Sequence, residues 1–243
     1  MTPTRGALAR VAAIGLALLL FALMLATIAV GWQVASRLPH VSDFWPLDLA
    51  EPDGWLLDRR IADLHDDPAL CRRVLKAPYI EARAVPDESP QTGCGWTTAV
   101  HVTKTAGARL SVNPITCQMA AALAMWMEHI VQPAANAMLG SRVTVVEHLG
   151  SYACRNIRGS PAFAKHPSEH ASANALDVSA FRLADGRRIT VLTDWGQDTP
   201  AGRFLSEIHK GSCRYFRVAI GPAYNGAHKN HFHFDRGRWH ACR

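Results

Sequence analysis

The sequence predicts an α+β domain, an antiparallel sheet with flanking helices, set behind one N-terminal transmembrane helix. Three observations carry this reading. Residues 11–32 contain no charged side chain. From residue 99 onward, short apolar runs of period two recur on either side of tight turns, the pattern of half-buried antiparallel strands. Between them lies one long run of helical period, and no internal repeat is visible, so helices and strands share a single core.

The first segment includes the unbroken run Leu16-Ala17-Leu18-Leu19-Leu20-Phe21. As a helix, residues 11–32 span about 33 Å at about 1.5 Å per residue, enough for a bilayer core. Arg5 and Arg10 precede it with no acidic residue, so the positive-inside rule leaves residues 1–10 in the cytoplasm. A cleaved signal peptide is the rival reading. Its apolar region is shorter, about 7–15 residues, and ends in a small-residue site, whereas Gly31-Trp32-Gln33 reads as an interfacial anchor. Both readings export the chain beyond the apolar run.

Residues 33–55 carry Pro39, Pro46, Pro52 and Gly54 without periodicity and read as a tether that docks near its end. The domain proper is expected over 56–243. Ile61, Leu64, Ala69, Val74 and Leu75 suggest a helix over 61–75, and the Pro- and Gly-rich stretch 76–97 a loop. Strands are expected at 99–102 and 108–112, with Gly107 turning between them. A helix over 115–139 follows, with Pro114 at its start, Gly140 past its end and Pro133 as a kink. Met119, Ala122, Leu123, Trp126 and Ile130 make its apolar face, which is core rather than a cofactor box. Further strands are expected at 143–146, 175–181, 189–191, 216–220 and 231–235. A short helix is expected over 203–210.

Apolar residues make up 49% of the chain and charged residues 19%, a globular composition that excludes disorder. The net charge is +6, of which Arg5 and Arg10 supply two. The remaining basic residues are scattered among Asp and Glu, with no Lys/Arg stripe, which excludes nucleic acid as a partner. An anionic cell-wall polymer is compatible. Export predicts oxidised cysteines, and the six are Cys71, Cys94, Cys117, Cys154, Cys213 and Cys242. None forms a C-x-x-C pair, which argues against a thiolate zinc finger. Six cysteines allow 15 pairings, and a sequential one is expected: Cys71–Cys94, Cys117–Cys154 and Cys213–Cys242.

Two segments carry chemistry: Ser168-Glu169-His170-Ala171-Ser172-Ala173-Asn174-Ala175-Leu176-Asp177 and His228-Lys229-Asn230-His231-Phe232-His233-Phe234-Asp235. Strand alternation puts His231 and His233 on one face and Phe232 and Phe234 on the other. The same alternation buries Leu176 and Val178 and turns Asp177 and Ser179 outward. If the two strands are neighbours, Asp177 meets His233, and His170 can fold back as a third ligand. Two histidines and a carboxylate with a fourth position left open make the donor set of a catalytic zinc site.

Ser168-x-His170-x-x-Ala173-x-Ala175-x-Asp177, followed by His231-x-His233, resembles the motifs of the superfamily of lysostaphin-type, D-alanyl-D-alanine and hedgehog-like zinc domains. The wider frame, about residues 70–243 with Cys154-Arg155, Phe204-Leu205 and Gly221-Pro222, resembles the bacterial extensin-like C-terminal domain. The resemblance implies a hedgehog/D,D-peptidase-like fold, zinc on His170, Asp177 and His233, and His231 beside the zinc as base or transition-state stabiliser. Tyr152-Ala153-Cys154-Arg155 resembles a displaced Tyr-Arg motif, which implies a catalytic role for Arg155 against substrate carboxylate or oxyanion. It also implies substrate-binding roles for Tyr152 and Ser168. The implied activity is peptidoglycan peptide hydrolysis of the D,D-carboxypeptidase or endopeptidase type, in the periplasm, from a single-pass inner-membrane anchor. The alternative is a non-catalytic zinc-containing domain that binds the wall. Two departures stand out: Ala173 replaces a glycine, and Asn230 replaces the glutamate base of the dipeptidase branch. The base role then passes to His231 or Glu207.

Overall fold

The computed structural model describes residues 5–35, 45–91, 93–159 and 161–243, in two units that divide at residue 43. The first is a helix, α1 (Arg5–Ala35). Its window Ala13–Gly31 has a mean hydropathy of 2.7 and is long and apolar enough to cross a membrane. A signal sequence would pass the same test.

The second unit is an α+β fold. Helix α2 (Leu57–Ala62) and α3 (Pro68–Val74) stand where one helix over 61–75 is expected. The break lies at Asp66-Asp67-Pro68. Proline cannot donate within the preceding turn, and the Asp67 carboxylate caps a new helix by accepting from Ala69 and Leu70 N–H at 2.9 and 2.8 Å. The expected loop 76–97 holds three short strands, β1 (Ile80–Ala84), β2 (Glu88–Gln91) and β3 (Cys94–Trp96). Their own alternation is poor, and β1 owes its extended form to the neighbour it pairs with.

Strands β4 (Ala99–Thr105) and β5 (Ala108–Thr116) form a hairpin. Its two turn residues, Ala106 and Gly107, both have positive φ, 45° and 76°, as a tight turn matching the sheet twist requires. Strand β5 runs through Pro114 to Thr116, so the long helix begins at α4 (Cys117–Trp126) rather than at residue 115. It continues through a π-turn, Met127–Val131, into α5 (Gln132–Leu139). The widened turn just before Pro133 accommodates its ring without ending the helix, and Gly140 closes it at φ 64°. Every residue of α4 is buried. Its alanines at 120, 121, 122 and 124 let the surrounding layers approach closely.

Strands β6 (Val143–Gly150), β7 (Ala175–Leu183) and β8 (Arg188–Thr190) follow, then α6 (Val191–Asp194), α7 (Pro200–Ser212), β9 (Val218–Ile220), β10 (Phe232–Asp235) and β11 (Ala241–Cys242). The main sheet runs β1-β4-β5-β6-β7-β10-β9-β11, with β8 also on β7. Pairing is antiparallel except at β5–β6 and β9–β11. The first exception follows from the α4–α5 crossover, which returns the chain in the same direction.

One sheet face packs on the helices. Trp126 sits 5.0 Å from Phe234 and 6.1 Å from Phe181, and α7 brings Phe204 to 5.6 Å from Phe181. The segment ahead of α2 belongs to this unit. Leu47 and Leu49 are buried in the core, and Arg60 and Tyr215 donate to the Pro46 and Pro52 carbonyls at 2.6 and 2.9 Å. The expected tether therefore docks from residue 46 onward, and its part at 36–44 lies outside the described residues.

All six cysteines are paired, but only Cys213–Cys242 follows the sequential expectation. The others are Cys71–Cys117 and Cys94–Cys154, with Cα atoms 5.9 and 5.4 Å apart. Packing explains the exchange: the first turn of α4 lies against α3, and the segment after β6 runs back past β3.

Candidate metal centre

Strands β7 and β10 are neighbours, with Asp177 directly opposite His233. Alternation buries Leu176, Val178, Phe232 and Phe234 on the helical side, so Asp177 and His233 share the opposite face. The third group comes from a one-turn 3-10 helix, Glu169–Ser172. Ser168 caps it, its hydroxyl accepting from His170 N–H at 3.3 Å. The turn closes at Ala173, φ 54°, a left-handed position that suits glycine better. Asn174 then ties the turn to α4. It donates to Glu169 Oε2 at 2.8 Å and accepts from Thr116 and Gln118, each at 2.9 Å.

The three donor atoms converge. His170 Nε2 lies 3.2 Å from Asp177 Oδ1 and 3.2 Å from His233 Nδ1, and His233 Nδ1 lies 2.9 Å from Asp177 Oδ1. Tetrahedral ligands at about 2.0–2.1 Å from a cation stand about 3.3 Å apart. The triangle thus needs only a few tenths of an ångström to hold a metal ion, and these three residues form a group able to do so. Their outer atoms are already committed. His170 Nδ1 donates to the Ser151 carbonyl at 3.1 Å, which leaves the Nε2 lone pair facing inward. His233 Nε2 donates to Asp235 Oδ2 at 3.0 Å, and Asp235 Oδ1 accepts from Gly237 N–H at 2.9 Å. Carbonyl and carboxylate partners of this kind fix ring orientation and tautomer in metal sites.

Burial would raise the Asp177 carboxyl, but hydrogen bonds and charge from His170 and His233 hold it far below the usual carboxylate range. Burial lowers His233, yet its bonds to Asp177 and Asp235 outweigh this and lift it to about 9. A cation held between these groups would take the place of the shared proton. His231 lies beside the triangle, its Nε2 3.6 Å from Asp177 Oδ1. Its Nδ1 donates to Asn230 Oδ1 at 2.9 Å, so Nε2 carries the lone pair. Burial, opposed by the Asp177 charge and helped by His233 and His170, lowers its pKa and so favours the neutral ring. His228 packs 5.3 Å from His231 and 5.9 Å from His233, and burial lowers it to about 4.

The segment 151–157 runs antiparallel to 166–170. Ala153 N–H donates to the His170 carbonyl at 3.0 Å, Ser168 N–H to the Arg155 carbonyl at 3.1 Å, and Ile157 N–H to the His166 carbonyl at 2.9 Å. This brings Arg155 to the same rim, half-buried and within reach of the Asp177 charge. Tyr152 packs edge-on against Trp96, ring centres 4.8 Å apart, and the Cys94–Cys154 bridge staples the segment there. Glu207 is exposed on α7, the helix packed on the other face of the sheet through Phe204 and His209. It is therefore removed from the site, whereas His231, the other residue considered for a base, lies beside it. Asp194-Trp195-Gly196 is a packed turn, with Trp195 5.2 Å from Phe232.

Asp235 and Ser151 hold His233 and His170, and Asn174 holds the turn that carries His170, though no role is assigned to them from sequence. Asp235 had a signal: two residues past His233, it shares that residue's face. Ser151 and Asn174 had none, since their parts depend on which loops meet.

Fold and site define an α+β domain with a His/Asp/His group able to hold a metal ion. Residues 69–243 match the family described as the extensin-like protein C-terminus, and the chain belongs to that family. No curated protein and no solved structure matches it.

Proposed function

We propose that this domain is a zinc-dependent peptidase that hydrolyses amide bonds in peptidoglycan peptides, of D,D-carboxypeptidase or endopeptidase type. It would work in the periplasm, held by α1 in the inner membrane, and share its fold with D-alanyl-D-alanine peptidases and hedgehog-like domains. The observation that carries the reading is the triangle of His170, Asp177 and His233 with the neutral His231 beside it. Two imidazoles and one carboxylate suit zinc and leave a fourth position free. Bound there, zinc supplies Lewis acidity, polarising a carbonyl and lowering the pKa of water.

The chain's own groups supply the rest. Asn230 orients His231 so that its Nε2 lone pair is free to take a proton. Arg155 presents a guanidinium on the same rim, suited to bidentate binding of a carboxylate terminus. Ser168 acts through His170, as its cap. The second reading is a zinc-containing wall-binding module, favoured by Asn230 standing where the dipeptidase branch has a glutamate base.

The test uses chain beginning no later than residue 45, since Leu47 and Leu49 are core. About one zinc per chain is expected, lost in His170→Ala and His233→Ala. His231→Gln should keep zinc and melting temperature while cutting release of new termini from peptidoglycan fragments by about 10²-fold or more. Full zinc occupancy in both alanine variants refutes the metal site. Wall binding without any product from wild type favours the second reading.

A further inference from the structure

Two exposed tryptophans stand together at the start of the folded domain. Trp45 is 55% exposed, Trp55 is 68% exposed and Leu56 beside them 42% exposed. For side chains this large and apolar, such exposure leaves much apolar surface in water that folding does not use. The two indoles nevertheless touch, with ring centres 6.5 Å apart. They are also held firmly. The inward residues of the same stretch, Leu47 and Leu49, are buried. Its backbone is pinned by Arg60 on the Pro46 carbonyl at 2.6 Å, His129 on the Leu49 carbonyl at 2.8 Å and Tyr215 on the Pro52 carbonyl at 2.9 Å. Leu56 adopts a left-handed backbone, φ 55°, a conformation that costs a non-glycine residue energy and tends to persist where function needs it.

We propose that Trp45, Trp55 and Leu56 form a docking surface for the headgroup region of a lipid bilayer. Indoles favour that region because one edge is apolar and the N–H is polar. Chain length supplies the occupant: Trp45 follows the end of the apolar helix α1 at Ala35 by ten residues. Fully extended, these reach at most about 35 Å, so a chain anchored by that helix keeps the patch near the lipid. Charge plays little part. Arg214 meets Asp53 at 3.2 Å, Arg59 meets Asp63 at 3.2 Å and Arg217 meets Asp58 at 2.8 Å. The surroundings are thus locally neutralised, and zwitterionic lipid suffices. The membrane-anchor reading supplies proximity, and the test separates the two.

The experiment compares the full chain with its Trp45→Phe/Trp55→Phe variant in phosphatidylcholine vesicles, with and without acyl chains brominated near the headgroup. Subtracting the two emission spectra isolates these indoles. The difference spectrum should be blue-shifted and at least halved by brominated lipid, and about 0.5 M salt should not change it. Water-like, unquenched difference emission overturns the proposal. A blue shift without quenching assigns the patch to a protein surface, such as a second copy, and also overturns it. Flotation with the vesicles reads the anchor separately. If the chain does not float, the same spectra with excess vesicles added still read the patch.

Discussion

The substitution Asp235→Asn tests whether the metal centre depends on the group behind its ligand. Asp235 is buried, and its two oxygens accept from His233 Nε2 at 3.0 Å and from Gly237 N–H at 2.9 Å. An asparagine is nearly the same size but offers only one acceptor. If its oxygen faces His233, its amide N–H faces the Gly237 N–H, and two donors confront each other. If it flips, the amide donates to His233 Nε2 and forces the proton onto Nδ1, the atom that must bind the cation. Loss of such an orienting partner typically weakens metal binding about 10–100-fold, or about 1.4–2.7 kcal/mol. The unsatisfied buried donor costs about 1–3 kcal/mol of stability besides. Competition against a chromophoric zinc chelator measures the first quantity and urea unfolding the second. Zinc affinity within about two-fold of wild type would refute the argument that Asp235 fixes the His233 tautomer.

Further outcomes are expected. Replacing Cys94 and Cys154 by alanine opens a bridge spanning 60 residues and should cost about 2–5 kcal/mol in urea unfolding. It should also weaken zinc, because the freed segment holds His170 and Arg155; unchanged zinc affinity would show that the backbone bonds suffice alone. Asp58→Ala leaves the buried guanidinium of Arg236, which Asp58 meets at 2.7 Å, without its carboxylate. A loss of about 1–2 kcal/mol is expected, below that of a fully buried pair because Asp58 is half-exposed, and no measurable loss would count against this account. His209 is buried and its pKa is lowered to about 4, burial outweighing a backbone hydrogen bond at Ile220. The unfolded chain takes up that proton near pH 6.5, so stability is lost as pH falls from about 6.5 to about 4. In thermal melts, His209→Phe should flatten this window relative to wild type, and an unchanged slope would show that other groups set it.

Residue type and spacing made the polar faces of the candidate site legible, and the choice of His170, Asp177 and His233 rested on the family resemblance. Alternation in His231-Phe232-His233-Phe234 and Leu176-Asp177-Val178 sorts polar from apolar groups whatever the partner strand, because successive strand side chains point to opposite faces. The uncharged segment 11–32, the central helix with its kink at Pro133, and the even cysteine count were legible for similarly local reasons. Tertiary structure decided what depends on contacts distant in sequence. The strand β1 exists because β4 supplies its hydrogen bonds, and its own residues show little alternation. Cys71 pairs with Cys117, and Cys94 with Cys154, because α3 meets α4 and β3 meets the segment after β6. The sequence offers His231 as the base with Glu207 as the alternative, and the sheet stands between them. Two such contacts complete the candidate metal centre: Asp235 behind His233, and the Ser151 carbonyl behind His170. Local pattern sets which way each side chain faces along its own strand, whereas a hydrogen-bond partner is set by which segments the packed core brings together.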